Sequence, residues 1–325
     1  MVTSPPKGIY VPVPTFFAAP TSPTEEHAAP LDVPTQAAHA VYLARNGIRG
    51  LVILGSTGEA VHITNEERFA VLSGVRAELE AAGFPDYPIL AGTATQSVDE
   101  TVAQLADAKR AGVQWGMVLA PGYFASAVSQ WGLTRWFEHV ADKSPIPILV
   151  YHYPGVSNNV VISASTMERL AQHPNIVGCK LSHGNLDDFA LVGLNPNIDV
   201  EGKFRPFTGL GQVLLPVLTL NGAGAIDGLA AVFPKTVVRI FNLFESDRLG
   251  ALDEIRKLQY TVAKGEKLLA KWGVIGVKEA ISRLRGYGVR DGGRVPLQGG
   301  FPGGDAEWEQ WKGAMAELEA VEKTL

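Results

Sequence analysis

Eight short apolar runs, most of them followed by a stretch with helical spacing, constrain the fold of this chain more than any other feature. The runs are Gly8–Val13, Gly50–Leu54, Tyr87–Ala91, Gly116–Ala120, Ile146–Tyr151, Ile176–Leu181, Arg205–Thr208 and Ala223–Asp227. Between them Pro34–Arg45, Asn65–Glu80, Val128–Asp142, Ser163–Gln172 and Pro234–Phe244 read as helices. Val98, Thr101, Val102, Leu105 and Ala108 repeat at the spacing of one helical face. Thr64, with Glu67 three residues on, has the form of a capping box, and Ser97 can cap the helix after it. Strands alternating with helices at roughly 30-residue steps make an α/β protein of parallel units. A closed barrel and a doubly wound open sheet both satisfy that pattern. The count of eight favours the (β/α)8 TIM barrel, which typically takes about 250 residues.

The eighth unit ends near Ser246, so a catalytic barrel over residues 1–246 is expected. Leu249–Tyr287 and Asp305–Thr324 are helical in pattern with no strand between them, which makes 247–325 an appended C-terminal helical segment. The proline-bearing stretch Ala18–Pro34 is expected to be an irregular loop after the first strand.

Several function classes are excluded by composition. With 28 Lys+Arg against 33 Asp+Glu the chain is mildly acidic, and no basic cluster marks it as a nucleic-acid binder. A single cysteine, Cys179, rules out an intrachain disulfide framework. No run of about 18 apolar residues could cross a membrane. Met1–Lys7 has neither the apolar centre of a signal peptide nor an Arg-rich amphipathic pattern, so the cytoplasm is the expected compartment. The seven histidines show no metal-ligand spacing. Gly209-Leu210-Gly211 and Gly222-Ala223-Gly224 lack the third glycine of a dinucleotide fingerprint, so neither a structural metal nor a nucleotide is expected.

Barrel active sites lie where strands end and βα loops begin. Alternation along the sixth run puts Gly178, Lys180 and Ser182 on one face and Val177, Cys179 and Leu181 on the other. If the wholly apolar set packs against helices, Lys180 points into the barrel, where desolvation lowers its pKa and enlarges its nucleophilic, neutral fraction. A lysine that merely reaches solvent from a strand end is the ordinary alternative. In the fifth run Leu149, Tyr151 and Tyr153 share one face and Ile148, Val150 and His152 the other, so an inward Tyr151 would lie one strand from Lys180 and could relay protons. A half-buried packing tyrosine fits that pattern as well, and His152 reads most simply as a satisfied histidine under a helix. After the second run, Gly55-Ser56-Thr57-Gly58-Glu59 offers a sharp turn with two hydroxyls, a natural cradle for a carboxylate.

In combination these residues resemble the dihydrodipicolinate synthase and N-acetylneuraminate lyase superfamily of class I, Schiff-base aldolases. The motifs that carry the resemblance are Gly55-Ser56-Thr57-Gly58-Glu59, Pro121-Gly122-Tyr123, Tyr151-His152-Tyr153-Pro154-Gly155, Gly178-Cys179-Lys180 and Gly222-Ala223-Gly224-Ala225-Ile226. The resemblance implies an eight-stranded barrel with C-terminal helices, a homotetramer built as a dimer of dimers, and no metal or organic cofactor. Position by position, it implies that Lys180 condenses with the ketone of pyruvate or another 2-oxo acid and that Tyr151 shuttles protons at the imine. Ser56 and Tyr123 would complete the relay, Tyr123 in many members from a neighbouring subunit. Thr57 would hold the carboxylate, Ser182 and more weakly His152 would meet the aldehyde part, and Ile226 would lie against substrate. Val156 stands where synthases acting on aspartate semialdehyde carry an arginine. Ser144-Pro145-Ile146-Pro147, His173–Gly178 and Gly276-Val277-Lys278 look more like 4-hydroxy-2-oxoglutarate and 2-keto-3-deoxy sugar acid aldolases. A pyruvate-dependent aldolase is therefore the leading expectation, ahead of a dihydrodipicolinate synthase and of a non-catalytic barrel that binds 2-oxo acids.

Overall fold

A computed structural model of the chain describes residues 3–19 and 29–325. The strands β1 Gly8–Pro12, β2 Gly50–Ile53, β3 Ile89–Thr93, β4 Trp115–Leu119, β5 Ile148–His152, β6 Ile176–Leu181, β7 Arg205–Thr208 and β8 Gly224–Ile226 pair in parallel, each with the next. Pairing of Gly8 with Gly224 closes the sheet into a barrel. The alternating helices are α1 Val33–Arg45, α2 Asn65–Ala81, α3 Val98–Arg110, α4 Gln130–Lys143, α5 Ala164–Ala171, α6 Leu186–Gly193, α7 Leu214–Thr219 and α8 Pro234–Asp247. The long α9 Leu252–Arg285 and α10 Asp305–Glu322 follow. The TIM barrel and the C-terminal helices are as expected, and closure excludes the open sheet that the sequence pattern also allowed.

Local chemistry accounts for the helix starts. Thr64 accepts the Glu67 N–H while the Glu67 carboxylate accepts the Thr64 N–H, so both halves of the capping box form. Ser97 accepts from the Glu100 N–H at the start of α3. Helix α1 begins at Val33, inside the stretch expected to be irregular, because Asp32 caps it and Pro34 fits its first turn. Phe17 and Leu31 pair as an antiparallel bridge ahead of it. Residues 20–28 of the expected loop lie outside the described residues. Helices α6 and α7 span 8 and 6 residues, too few for a clear apolar period.

Two layers of side chains separate cleanly. Tyr10, Val52, Leu90, Met117, Leu149, Val177 and Phe207 fill the barrel interior. Ile148, Val150, Cys179 and Leu181 pack outward against the helices. Val177 departs from the expectation that it shares the outer face with Cys179 and Leu181. The β5–β6 register runs Ile148 to Ile176 and then Leu149 to Gly178, so an extra residue is accommodated at Val177 and its side chain turns inward. This bulge decides the site: it sets Tyr151 directly opposite Lys180. Without it Tyr151 would pair with Cys179, and a one-residue slip moves a residue to the other face of the sheet.

Helix α9 crosses the mouth of the barrel and breaks at Gly273, where φ is 52° and ψ −130°. Only glycine takes such values readily. Among the described residues no helix is long and apolar enough to cross a membrane.

Candidate active site

The C-terminal ends of β2, β5, β6 and β7 surround a cavity of about 410 Å³ whose lining includes Ser56, Thr57, Tyr151, Tyr153, Lys180 and Ser182. Helix α9 contributes Glu266, Leu269, Gly273 and Val277 to the same cavity. Lys180 is 4 % exposed, with Nζ 4.6 Å from the centre of the Tyr151 ring. Burial pulls its amine from 10.5 down to about 7, and the negative charge of Asp227 opposes that fall only in part. Among the described residues that line the cavity, Lys180 is the one cation.

The phenol of Tyr151 lies 3.0 Å from the Ser56 hydroxyl. Burial raises the Tyr151 phenol well above its ordinary value, and the Ser56 hydrogen bond lowers it by less. The phenol is therefore protonated at neutral pH and can give a proton before it takes one. Close approach of β7 to Lys180 depends on Gly209. A Cβ there would fall 1.8 Å from Ser182 Oγ and 2.9 Å from Lys180 Cε.

The loop that carries Ser56 and Thr57 is held from both sides. Thr15 Oγ1 donates to the Gly58 carbonyl at 2.6 Å, and the Glu59 N–H donates to the Ser56 carbonyl at 3.1 Å. Glu59 sits at φ 52° and is buried, paired with Lys278 of α9 and accepting from His62 Nδ1. Lys278 also donates to the Gly292 carbonyl. Glu59→Gln would leave Lys278 as a buried cation without its counter-ion, which typically costs about 3–5 kcal/mol. Chemical denaturation should show a loss of that size. The double variant with Lys278→Met should recover part of it, and an unchanged midpoint for Glu59→Gln would mean the pair does not hold the loop.

Three residues from the sequence reading fall outside the cavity lining. His152 points to the outer layer, where its Nε2 accepts the Ile162 N–H at 3.2 Å and its ring lies 4.6 Å from that of His183. Burial and His183 lower its pKa to about 4, so it is a neutral acceptor holding the segment after β5, and the expected aldehyde contact is withdrawn. Ile226 pairs with Tyr10 in β8 and fills the barrel interior without lining the cavity. Tyr123 is 73 % exposed and stacks edge-on against the exposed Phe124, 4.9 Å between ring centres. Within one chain it does not touch the cavity.

Two acidic residues were missed. Asp227 follows β8 and is fully buried, its two oxygens accepting the Gly211 and Ala230 N–H groups at 3.1 Å each. Its place at a strand's C-terminal end was a usable signal. Glu266 is 5 % exposed and faces it from α9. In sequence Glu266 lies between Gly265 and Lys267, but its neighbours three and four residues away, Val262, Ala263, Leu269 and Ala270, are apolar, and that spacing was the usable signal of a buried face. Among the described residues no three His, Cys, Asp or Glu stand together as a metal site.

Residues 15–299 match the family model described as the dihydrodipicolinate synthetase family. A protein of Emericella nidulans named "Probable 4-hydroxy-2-oxoglutarate aldolase, mitochondrial" is 38 % identical over 281 residues, covering 86 % of each chain. The L-threo-3-deoxy-hexylosonate aldolase of Hypocrea jecorina is 39 % identical over 288 residues, covering 87 % of this chain and 88 % of that one. Among solved structures, YagE, a prophage protein of the dihydrodipicolinic acid synthase family from E. coli K12 in complex with pyruvate, superposes with a TM-score of 0.81. It is 26 % identical, with 96 % of this chain and 98 % of that one covered.

Proposed function

This chain belongs to the dihydrodipicolinate synthetase family, and we propose that within it the protein is a pyruvate-dependent class I aldolase that cleaves or forms a 4-hydroxy-2-oxo acid. The observation that carries the reading is the buried Lys180 amine beside the Tyr151–Ser56 pair in one cavity. A neutral amine is a nucleophile, and burial makes it available near neutral pH. Lys180 attacks the C2 carbonyl and water leaves, giving an imine. Tyr151, its own proton passed on through Ser56, takes the proton of the C4 hydroxyl. The C3–C4 bond breaks, the electron pair moves into the imine, and an aldehyde departs from the enamine of pyruvate. Protonation at C3 and hydrolysis return pyruvate and the free lysine. Thr57 is assigned the substrate carboxylate and Ser182 the aldehyde part.

Val156 lines the cavity and supplies no donor for a second carboxylate, which sets the dihydrodipicolinate synthase reading behind this one. A binding-only barrel has no use for a proton relay. For Tyr123 we propose a role across a subunit boundary in a homotetramer. Its exposure supports this, as does an adjoining hollow of about 210 Å³, lined in part by Val61, Ala94 and Leu119, that borders Ser56 and Tyr151. A cytoplasmic location is proposed on the sequence alone. The Emericella relative is named as mitochondrial, and a tagged copy found in an organelle would overturn the proposal.

Native mass spectrometry after borohydride reduction tests the chemistry and the assembly together. With pyruvate, each subunit should gain one reduced adduct that maps to Lys180, and the intact particle should carry four subunits. No adduct on any lysine would remove the aldolase reading, and a monomer would remove the role of Tyr123.

A further inference from the structure

The mechanism above uses one end of the cavity and leaves the carboxyl pair at its α9 wall without a task. Asp227 and Glu266 approach each other beside Gly211, where a Cβ would lie 2.8 Å from Asp227 Oδ1 and 2.6 Å from Glu266 Oε1. Two backbone N–H donors aimed at its oxygens make Asp227 the anion of the pair. Glu266 has no such support: among the described residues its buried Oε1 accepts from no donor, and its carboxyl group hydrogen-bonds only Asp227. Two adjacent buried carboxyl groups do not both ionise, so burial and the Asp227 charge keep Glu266 protonated. Nearby, Gln212 also lines the cavity and its Oε1 is buried without a donor.

These groups ask for a partner of definite chemistry. Glu266 is met only by Asp227 and Gln212 Oε1 by no donor, and a buried acceptor left unmet calls for one. An aldehyde fragment with free hydroxyl groups brings donors. A carboxylate brings only acceptors and a second negative charge beside Asp227. Lys180, the one cation among the described residues of the lining, is consumed in the imine, and Val156 provides none.

We propose that Glu266, seated against Asp227 on the α9 wall, is a specificity-determining residue that selects an uncharged hydroxyaldehyde over a carboxylate-bearing one as the fragment joined to or released from pyruvate. The inference rests on the aldolase reading and goes further by naming the substrate class: a 4-hydroxy-2-oxo acid with a neutral, hydroxylated tail.

Condensation of pyruvate with DL-glyceraldehyde and with glyoxylate, followed by product formation, is the test. The wild-type enzyme should show a kcat/KM for glyceraldehyde at least about tenfold above that for glyoxylate. Glu266→Leu should lower the glyceraldehyde value about tenfold or more, mainly through KM, while Glu266→Gln, which keeps a neutral hydrogen-bonding group, should retain most of it. Borohydride trapping of pyruvate on Lys180 in each variant verifies that the site is assembled. Equal turnover of both aldehydes by the wild type, or an unchanged preference in a trapping-competent Glu266→Leu, overturns the inference alone. Failure of the wild type to trap pyruvate removes the aldolase reading and this inference with it.

Discussion

Lys180→Ala should lower turnover by at least about 10⁴-fold and eliminate the borohydride-trapped pyruvate adduct, with the fold intact. A nucleophile that forms the covalent intermediate has no substitute, so its loss leaves only binding and positioning. The amine sits 4 % exposed over Tyr151, and among the described residues no other lysine lines the cavity. Retained trapping on another lysine would sink the assignment. The same burial makes a stability prediction with a definite sign. Folding pulls Lys180 from 10.5 to about 7, so the folded chain binds this proton less tightly than the unfolded chain does. The cost is present in full below about pH 7 and fades as the pH rises towards 10.5. Lys180→Met, similar in length and uncharged, should therefore be more stable than wild type by roughly 2–4 kcal/mol at pH 6, and the gap should close by pH 10. Denaturation midpoints measured across that range read it directly; a gap that stays constant with pH would contradict a lysine titrating near 7.

Tyr151→Phe should reduce kcat by about 10²–10⁴-fold, the usual worth of a positioned proton-transfer group. The ring survives in phenylalanine, so packing against Tyr153 and under Lys180 is kept and only the hydroxyl is lost. Borohydride trapping should persist at a slower rate, which separates a proton shuttle from a residue that merely holds the lysine. The pH dependence follows from the same two groups. Imine formation needs neutral Lys180, so kcat/KM should rise with pH through about 7. Tyr151 stays protonated through and beyond that range because burial raises it, so no falling limb from this phenol is expected between pH 7 and 9. A rising limb near 10 instead would mean that the lysine is solvated in the working enzyme. A Tyr151→Phe variant with unaltered kcat would remove the relay.

Much of this site was legible before any coordinates. Lys180 stands out because a lone ammonium on the otherwise small and polar face of a buried strand has little structural reason to be there. Ser56 and Thr57 were visible as hydroxyls in a glycine turn after a strand. Alternation put His152 on the face away from Tyr151, as a histidine satisfied under a helix, and only the resemblance made it a substrate contact. Behind His152 is the Ile162 N–H. Glu266 shares a helix face with Val262, Ala263, Leu269 and Ala270, so its burial was legible, but only the passage of α9 over the barrel mouth makes that face a wall of the cavity.

By itself the sequence determined the alternation of strands and helices and the helix caps, favoured the closed barrel, and singled out Lys180 as the candidate nucleophile. These depend on local periodicity and on residue chemistry, which a chain carries wherever it folds. Tertiary structure decided the rest. The extra residue at Val177 set which residue of β5 meets Lys180, because strand register is a relation between two segments. The break at Gly273 and the course of α9 brought Glu266 to Asp227, 39 residues earlier in the chain, and so placed the carboxyl pair in the wall of the cavity. Burial then set the charges: the desolvation that lowers the Lys180 amine to about 7 and raises the Glu266 carboxyl exists only once the barrel is closed and capped.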